Sequence, residues 1–179
     1  DRLLVPLREV GDSVLWLLSG PEGADARLRE QARARGVDPA RLVFQQKLPH
    51  ARYLALYRHA DLFLDTAPYG AHTTASDAIW AGCPVLTTAG DTFASRVAAS
   101  LNHHLGLPQL NAADDAAFVA QAIALGRDAH ARAQLRGTLA QRRIDSGLFD
   151  MRVLAADFVA LLRRMAERDR AGLVAEDLA

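Results

Sequence analysis

The chain has 179 residues, half of them hydrophobic, with 21 basic and 21 acidic side chains. That length suits one domain with a full core. Balanced charge excludes a surface that holds nucleic acid by bulk attraction, and no apolar run approaches the roughly 18 residues of a membrane span.

No basic stretch followed by an apolar one opens the chain, so no signal peptide is read and a soluble, cytoplasmic protein is expected. The abrupt start in Asp1-Arg-Leu-Leu-Val is read as a cut from longer sequence. Cys83, the single cysteine, lies between Gly82 and Pro84 ahead of an apolar run. It cannot form an internal disulfide, and a buried, inert thiol is expected rather than a nucleophile. Lys47 is the only lysine among the cations, which together with abundant alanine points to a GC-rich bacterial genome.

In chain order, Ser13-Val-Leu-Trp-Leu-Leu-Ser19 is a continuous apolar run ending in Gly20-Pro21, as for a strand buried on both faces. A helix over 24–36 follows, with a glycine stop. The pattern then predicts a strand over 41–46, a helix over 50–60, a strand over 61–66 and a helix over 73–81. A strand over 84–88 and a helix over 92–105 complete the alternation. Strands separated by helices imply βαβ units and a Rossmann-like parallel α/β sheet. The tail differs: 114–125, 128–144 and 151–171 read as helices without intervening strands. In the last, Val153, Phe158, Leu161, Leu162 and Met165 recur at helical spacing, which predicts a core-facing helix, with an oligomer seam as the alternative.

Ligands of open α/β sheets bind outside the carboxyl ends of the strands, at helix N-termini. The strand over 61–66 runs into Asp65-Thr-Ala-Pro-Tyr-Gly-Ala-His-Thr-Thr-Ala-Ser-Asp77. Pro68 and Gly70 stop the strand and allow a tight turn. Thr73 or Thr74 is expected to cap the next helix with its hydroxyl. Free N–H groups and the positive dipole end then make an anion site, to which His72 adds a donor suited to a diphosphate. Asp77, one turn in, is within reach of a ribose hydroxyl. Plain helix capping explains the same residues equally well. Neither Gly-x-x-x-x-Gly-Lys-Ser/Thr nor Gly-x-Gly-x-x-Gly occurs.

A second constellation is Lys47-Leu-Pro-His-Ala-Arg-Tyr53. Pro49 leaves the backbone at Leu48 free to read a base edge, and His50 or Tyr53 can stack on its face; an ordinary loop with Tyr53 in the core is the competing account. A third, Thr87-Thr-Ala-Gly-Asp-Thr-Phe-Ala-Ser-Arg96, holds a Gly90 turn that either borders a sugar or is structural. His103 and His104 diverge on a helix and cannot share a metal as an i, i+4 pair can; no His/Asp/Glu cluster has metal spacing.

Taken together, Ser13-Val-Leu-Trp-Leu-Leu, Leu62-Phe-Leu-Asp-Thr, Gly70-Ala-His-Thr-Thr, Asp77-Ala-Ile-Trp-Ala-Gly-Cys-Pro-Val, Ala94-Ser-Arg-Val-Ala-Ala-Ser and Asn102-His-His-Leu-Gly-Leu resemble the C-terminal catalytic lobe of the O-GlcNAc transferase / SPINDLY family. The bacterial homologues with TPR repeats are nearest in character, and the resemblance runs from about Val10 to Asp128. It implies a two-lobed, GT-B type fold in which the whole chain, residues 1–179, is the nucleotide-sugar-binding lobe. The segment 145–179 would cross back to an N-terminal lobe that this chain lacks. The implied reaction moves GlcNAc from UDP-GlcNAc to Ser or Thr of an acceptor protein, with inversion and with neither cofactor nor metal. By position, His72, Thr73 and Thr74 would hold the diphosphate and Asp77 the ribose. Leu48, His50 and Tyr53 would surround the uracil. Two departures stand out. Animal forms carry Lys and His where His50 and Tyr53 stand, and the family's phosphate-contacting lysine lies upstream of this chain, not at Lys47. No catalytic residue is assigned, so the chain alone is expected to be inactive. A GDP-fucose-dependent protein O-fucosyltransferase and a non-catalytic nucleotide- or partner-binding module are the alternatives.

Overall fold

A computed structural model describes residues 2–178. Helix α1 (Leu4–Glu9) precedes strand β1 (Leu15–Leu18), helix α2 (Ala24–Ala34) and strand β2 (Leu42–Gln45). Then come α3 (His50–Leu56), β3 (Phe63–Leu64), α4 (Thr73–Trp80), β4 (Val85–Thr88), α5 (Val97–His104) and β5 (Asn111–Ala112). Three helices end the chain: α6 (Asp115–Arg127), α7 (Ala129–Asp145) and α8 (Met151–Arg170).

All strand pairs are parallel, as expected. They form two sets rather than one continuous sheet: β1 pairs with β2, and β3, β4 and β5 follow in that order, with no ladder between β1 and β3. The second set is covered on both faces. Val85 of β4 points into a cluster with Ala75, Ala78 and Ile79 of α4, Ala98 of α5 and Leu139 of α7. Its neighbour Leu86 points the other way, onto Ala112, Phe118 and Ala122, as the two-residue period of a strand requires. Buried Asn102 ties α5 to this sheet by donating to the Val85 carbonyl (2.9 Å) and to the Asn111 side-chain oxygen (2.9 Å).

The first set has one covered face. Leu15 and Leu17 pack with Leu7, Ala32, Val37 and Leu42, whereas Val14 and Leu18 are more than 60% exposed and Trp16 is partly exposed. The expectation that this strand is buried on both faces is therefore corrected: its apolar run is continuous, but helices of this chain reach only one side. Helix α1, which has no strong sequence signal, joins the two sets. Its Leu7 belongs to the β1–β2 core, while Arg127 of α6 donates to the Glu9 carbonyl (2.8 Å).

Three further expectations shift. The helix over 92–105 is a tight turn at Phe93–Ser95 followed by α5, because Thr92 and Ser95 close a reciprocal capping box. The two-residue β5 was not expected. The core-facing assignment of 151–171 is wrong within this chain: α8 has no buried residue, and Phe158, Leu162 and Met165 are about half exposed. The apolar face exists, but no other element of the described chain covers it. Among the described residues no helix is long and apolar enough to cross a membrane.

Candidate functional site

The site is built on the loop between β3 and α4. Asp65 directly follows β3 and is in the core, with 2% of its surface exposed. Its carboxyl group accepts three hydrogen bonds, from the Thr66 N–H, the Ala71 N–H and the Thr87 hydroxyl, each 2.7 Å. Those contacts fold the 66–71 segment, with its cis Ala67–Pro68 bond, back over the end of β4. Gly70 is needed there for space: a Cβ would lie 3.2 Å from both the Ala94 carbonyl oxygen and the Asp65 carboxyl. The Gly70 N–H donates to that same Ala94 carbonyl (2.9 Å), so the loop is pinned at both ends before α4 begins.

Helix α4 starts at Thr73, and the capping position is His72, with no side-chain cap. The expectation that a threonine hydroxyl caps this helix is thus corrected. Thr73 and Thr74 stand inside the first turn, where a side chain cannot fold back on the N–H groups it would cap. The first intrahelical bond runs from Ser76 N–H to the His72 carbonyl (3.0 Å). The N–H groups of Thr73, Thr74 and Ala75 have no partner among the described residues, and both threonines are exposed. That leaves orphan donors and a positive dipole end facing outward.

His72 is held on three sides. Its Nε2 lies 3.1 Å from the Ala94 carbonyl oxygen, its ring stacks on Tyr69 (centroids 5.0 Å apart, 17° between planes), and Phe93 meets it edge-on at 5.7 Å. Along α4, Asp77 faces His50 at the start of α3, with Nε2 3.3 Å from each carboxylate oxygen. The His50 ring stacks in turn on Tyr53 (6.1 Å, 27°). Tyr53 is half in the core: its hydroxyl bonds that of Tyr57, and burial pushes its phenol above the usual range, against the lowering effect of the Tyr57 bond. Its ring is stacked on His50 and meets Tyr57 edge-on, and its hydroxyl is engaged. The N–H and C=O of Leu48 make no hydrogen bond among the described residues.

The structure thus sets His72, Thr73 and Thr74 at the start of α4 and Asp77 in its second turn, where His50 of α3 meets Asp77 and stacks on Tyr53. Leu48 lies two residues before His50, on the loop that leaves β2. The sequence signals did not single out Asp65, Tyr69, Phe93 or the Ala94 carbonyl. An acidic residue closing an apolar strand was a visible cue for Asp65; the carbonyl left no side-chain trace at all. Cys83 is fully buried, with its thiol pushed up to about 12 by burial, as expected of an inert residue. His104 bonds the Ser146 carbonyl (3.0 Å) and joins helix ends. Among the described residues no cluster of His, Cys, Asp and Glu could hold a metal ion.

Residues 3–158 match the profile of glycosyl transferase family 41. The chain belongs to this family. It is 35% identical over 173 residues to a UDP-N-acetylglucosamine–peptide N-acetylglucosaminyltransferase of Caenorhabditis elegans, covering 97% of this chain and 15% of that protein. A rice protein named as a probable transferase of the same kind, SPINDLY, is 32% identical over 130 residues, or 70% of this chain and 14% of its own length. Among solved structures, a K341M mutant of the Thermobaculum terrenum O-GlcNAc transferase superposes with a TM-score of 0.83 at 29% identity, over 92% of this chain and 33% of that one. The family 41 chain therefore spans a small part of its curated relatives and about a third of its structural neighbour. Its α/β architecture with parallel strands is the one expected from sequence.

Proposed function

We propose that the chain is the donor-binding half of an inverting, metal-independent protein O-GlcNAc transferase that moves GlcNAc from UDP-GlcNAc to Ser or Thr of proteins. The observation that carries this is the unpaired N–H set at Thr73, Thr74 and Ala75 beside His72, with Asp77 one turn along the same helix and His50 of α3 facing it. That order matches a nucleoside diphosphate laid along α4: uracil at Leu48, His50 and Tyr53, ribose at Asp77, diphosphate at the helix start. The names of the relatives support the same donor.

In the reaction an acceptor hydroxyl attacks the anomeric carbon, and the bond from that carbon to the β-phosphate oxygen breaks. Negative charge collects on the departing UDP, and the hydroxyl proton leaves to a group outside this chain. Preorganised donors aimed at developing charge are a large part of catalysis. The Thr73–Ala75 N–H groups and His72 supply them without a metal, fixed in place by Asp65 and Ala94. Holding donor and acceptor in one cleft supplies much of the remainder. The acceptor site, an N-terminal lobe and a TPR array belong to the rest of a longer protein, that lobe or a group of the substrate activates the acceptor, and the bare apolar face of α8 crosses to that lobe. The whole protein acts in the cytoplasm.

Calorimetry of the full-length protein with UDP and GDP tests the donor. Tighter binding of UDP supports the proposal, and preferential GDP binding replaces it with fucosyl transfer. Transfer assays on wild type and His72→Ala separate an enzyme from a binding module: loss in the variant supports the enzyme, and absence of activity in both favours the module.

A further inference from the structure

We infer that His72 binds the donor diphosphate as an imidazolium cation, so that donor binding takes up a proton; this rests on the donor site proposed above. The first observation is the tautomer. A carbonyl oxygen only accepts hydrogen bonds, so the His72 Nε2 that lies 3.1 Å from the Ala94 carbonyl carries a hydrogen. In the neutral ring that leaves Nδ1 as a bare acceptor. A diphosphate is also an acceptor, and the two lone pairs would face each other. Only a second proton, on Nδ1, turns His72 into a donor toward phosphate while the Ala94 contact is kept.

The second observation is the place of Nδ1. That atom is bonded to Cγ and so stays close to His72's own backbone, at the capping position of α4. It has no partner among the described residues, and it belongs to the residue that directly precedes the unpaired N–H groups of the first turn. The third is the surroundings of the ring. Tyr69 lies parallel to it at 5.0 Å, presenting the electron-rich face that favours a cation. Phe93 approaches at 84°.

The titratable and charged groups of the packed elements are few. Asp65, at the base of the loop, is saturated by its own three donors. Tyr57 directs its hydroxyl to the Thr74 carbonyl (3.5 Å). Asp77 is held by His50, and Asp91 and Arg96 flank the Phe93–Ser95 turn, exposed to solvent. None of them contacts the imidazole, so among the described residues no side-chain cation stands beside His72 and no anion neutralises it before the ligand arrives. The ligand's two negative charges supply the counter-charge.

The test is calorimetry of the full-length protein with UDP-GlcNAc, which has no group of its own titrating near neutral pH, across pH 6 to 8 in buffers of different ionisation enthalpy. Wild type should take up as much as one proton per ligand, with affinity falling by up to tenfold per pH unit where free His72 is deprotonated. His72→Gln keeps an N–H for the Ala94 carbonyl but cannot titrate; it should bind more weakly and show no uptake. His50→Gln removes any contribution from the His50–Asp77 pair and should retain the uptake. Nitrogen-15 NMR of the wild-type ring makes the result independent of any variant: both ring nitrogens protonated in the complex supports the cation. A neutral Nε2–H ring in the complex, or binding with no proton uptake, overturns this inference and leaves the donor site standing. Absence of UDP-GlcNAc binding in the wild type overturns both.

Discussion

Replacing Asp65 removes the side chain on which the donor loop hangs. In Asp65→Ala, three donors lose their acceptor: the N–H groups of Thr66 and Ala71 and the Thr87 hydroxyl. Thr66 is exposed, so its N–H finds water at little cost. Ala71 is half-buried and Thr87 is 1% exposed, and an orphaned buried donor costs about 1–3 kcal/mol. The two together give about 4 kcal/mol, a large share of the roughly 5–15 kcal/mol that stabilises a domain. Asp65→Asn should cost only about 1 kcal/mol, because its oxygen can serve both N–H groups and the Thr87 hydroxyl can turn to accept from the new amide. Adding Thr87→Val to Asp65→Ala deletes one orphaned group and should restore about 1–2 kcal/mol. Urea titrations followed by far-UV circular dichroism, with midpoints and slopes compared, measure all three. If Asp65→Ala lay within about 1 kcal/mol of wild type, or matched Asp65→Asn, the carboxyl would not be what ties the loop.

Three other outcomes follow from the same structure. Cys83, buried and with its thiol raised to about 12, should resist iodoacetamide at pH 8 in the folded protein and react once urea unfolds it; labelling of native protein measured by mass spectrometry would contradict this. Asp25 is held below the ordinary carboxylate range, first by the Ser19 hydroxyl and then by the Gly20 N–H. A depressed folded-state pKa contributes stability that is present above the unfolded value, near 4, and lost as pH falls through the folded one. The melting temperature of Asp25→Asn should therefore lie below wild type at neutral pH and converge with it in acid, and a constant gap would show that the interaction is not ionic. Asp77→Asn should weaken UDP binding about tenfold, or about 1.4 kcal/mol, with less effect on a UDP analogue lacking its ribose hydroxyls; equal losses for both ligands in calorimetry would separate Asp77 from the ribose.

Much of the fold was legible because parallel strands and amphipathic helices leave strong periodic signals. The runs 84–88 and 73–81 fell within a residue of β4 and α4, and the placement of His72-Thr73-Thr74 at the carboxyl end of a strand followed from that alternation alone. What was missed had no period to read. The two residues of β5 are too few to alternate. The partition of the strands into two sets depends on what lies between β1 and β3 in space. Apolar spacing marked a face on α8 and on β1 but says nothing about whether this chain covers it. At the site, residue types exposed the exchangeable donors, whereas the scaffold that aims them is a buried carboxyl and a main-chain carbonyl. The threonines show the limit most clearly. Their chemistry suggested capping, and the backbone places them one position too far along, which frees the N–H groups that a cap would have occupied.

The most direct test is a crystal structure of the full-length protein with UDP bound. The account predicts diphosphate oxygens within about 3 Å of the Thr73, Thr74 or Ala75 nitrogens, the ribose against Asp77, and the uracil beside Leu48 and His50. A diphosphate bound away from the start of α4 would contradict it.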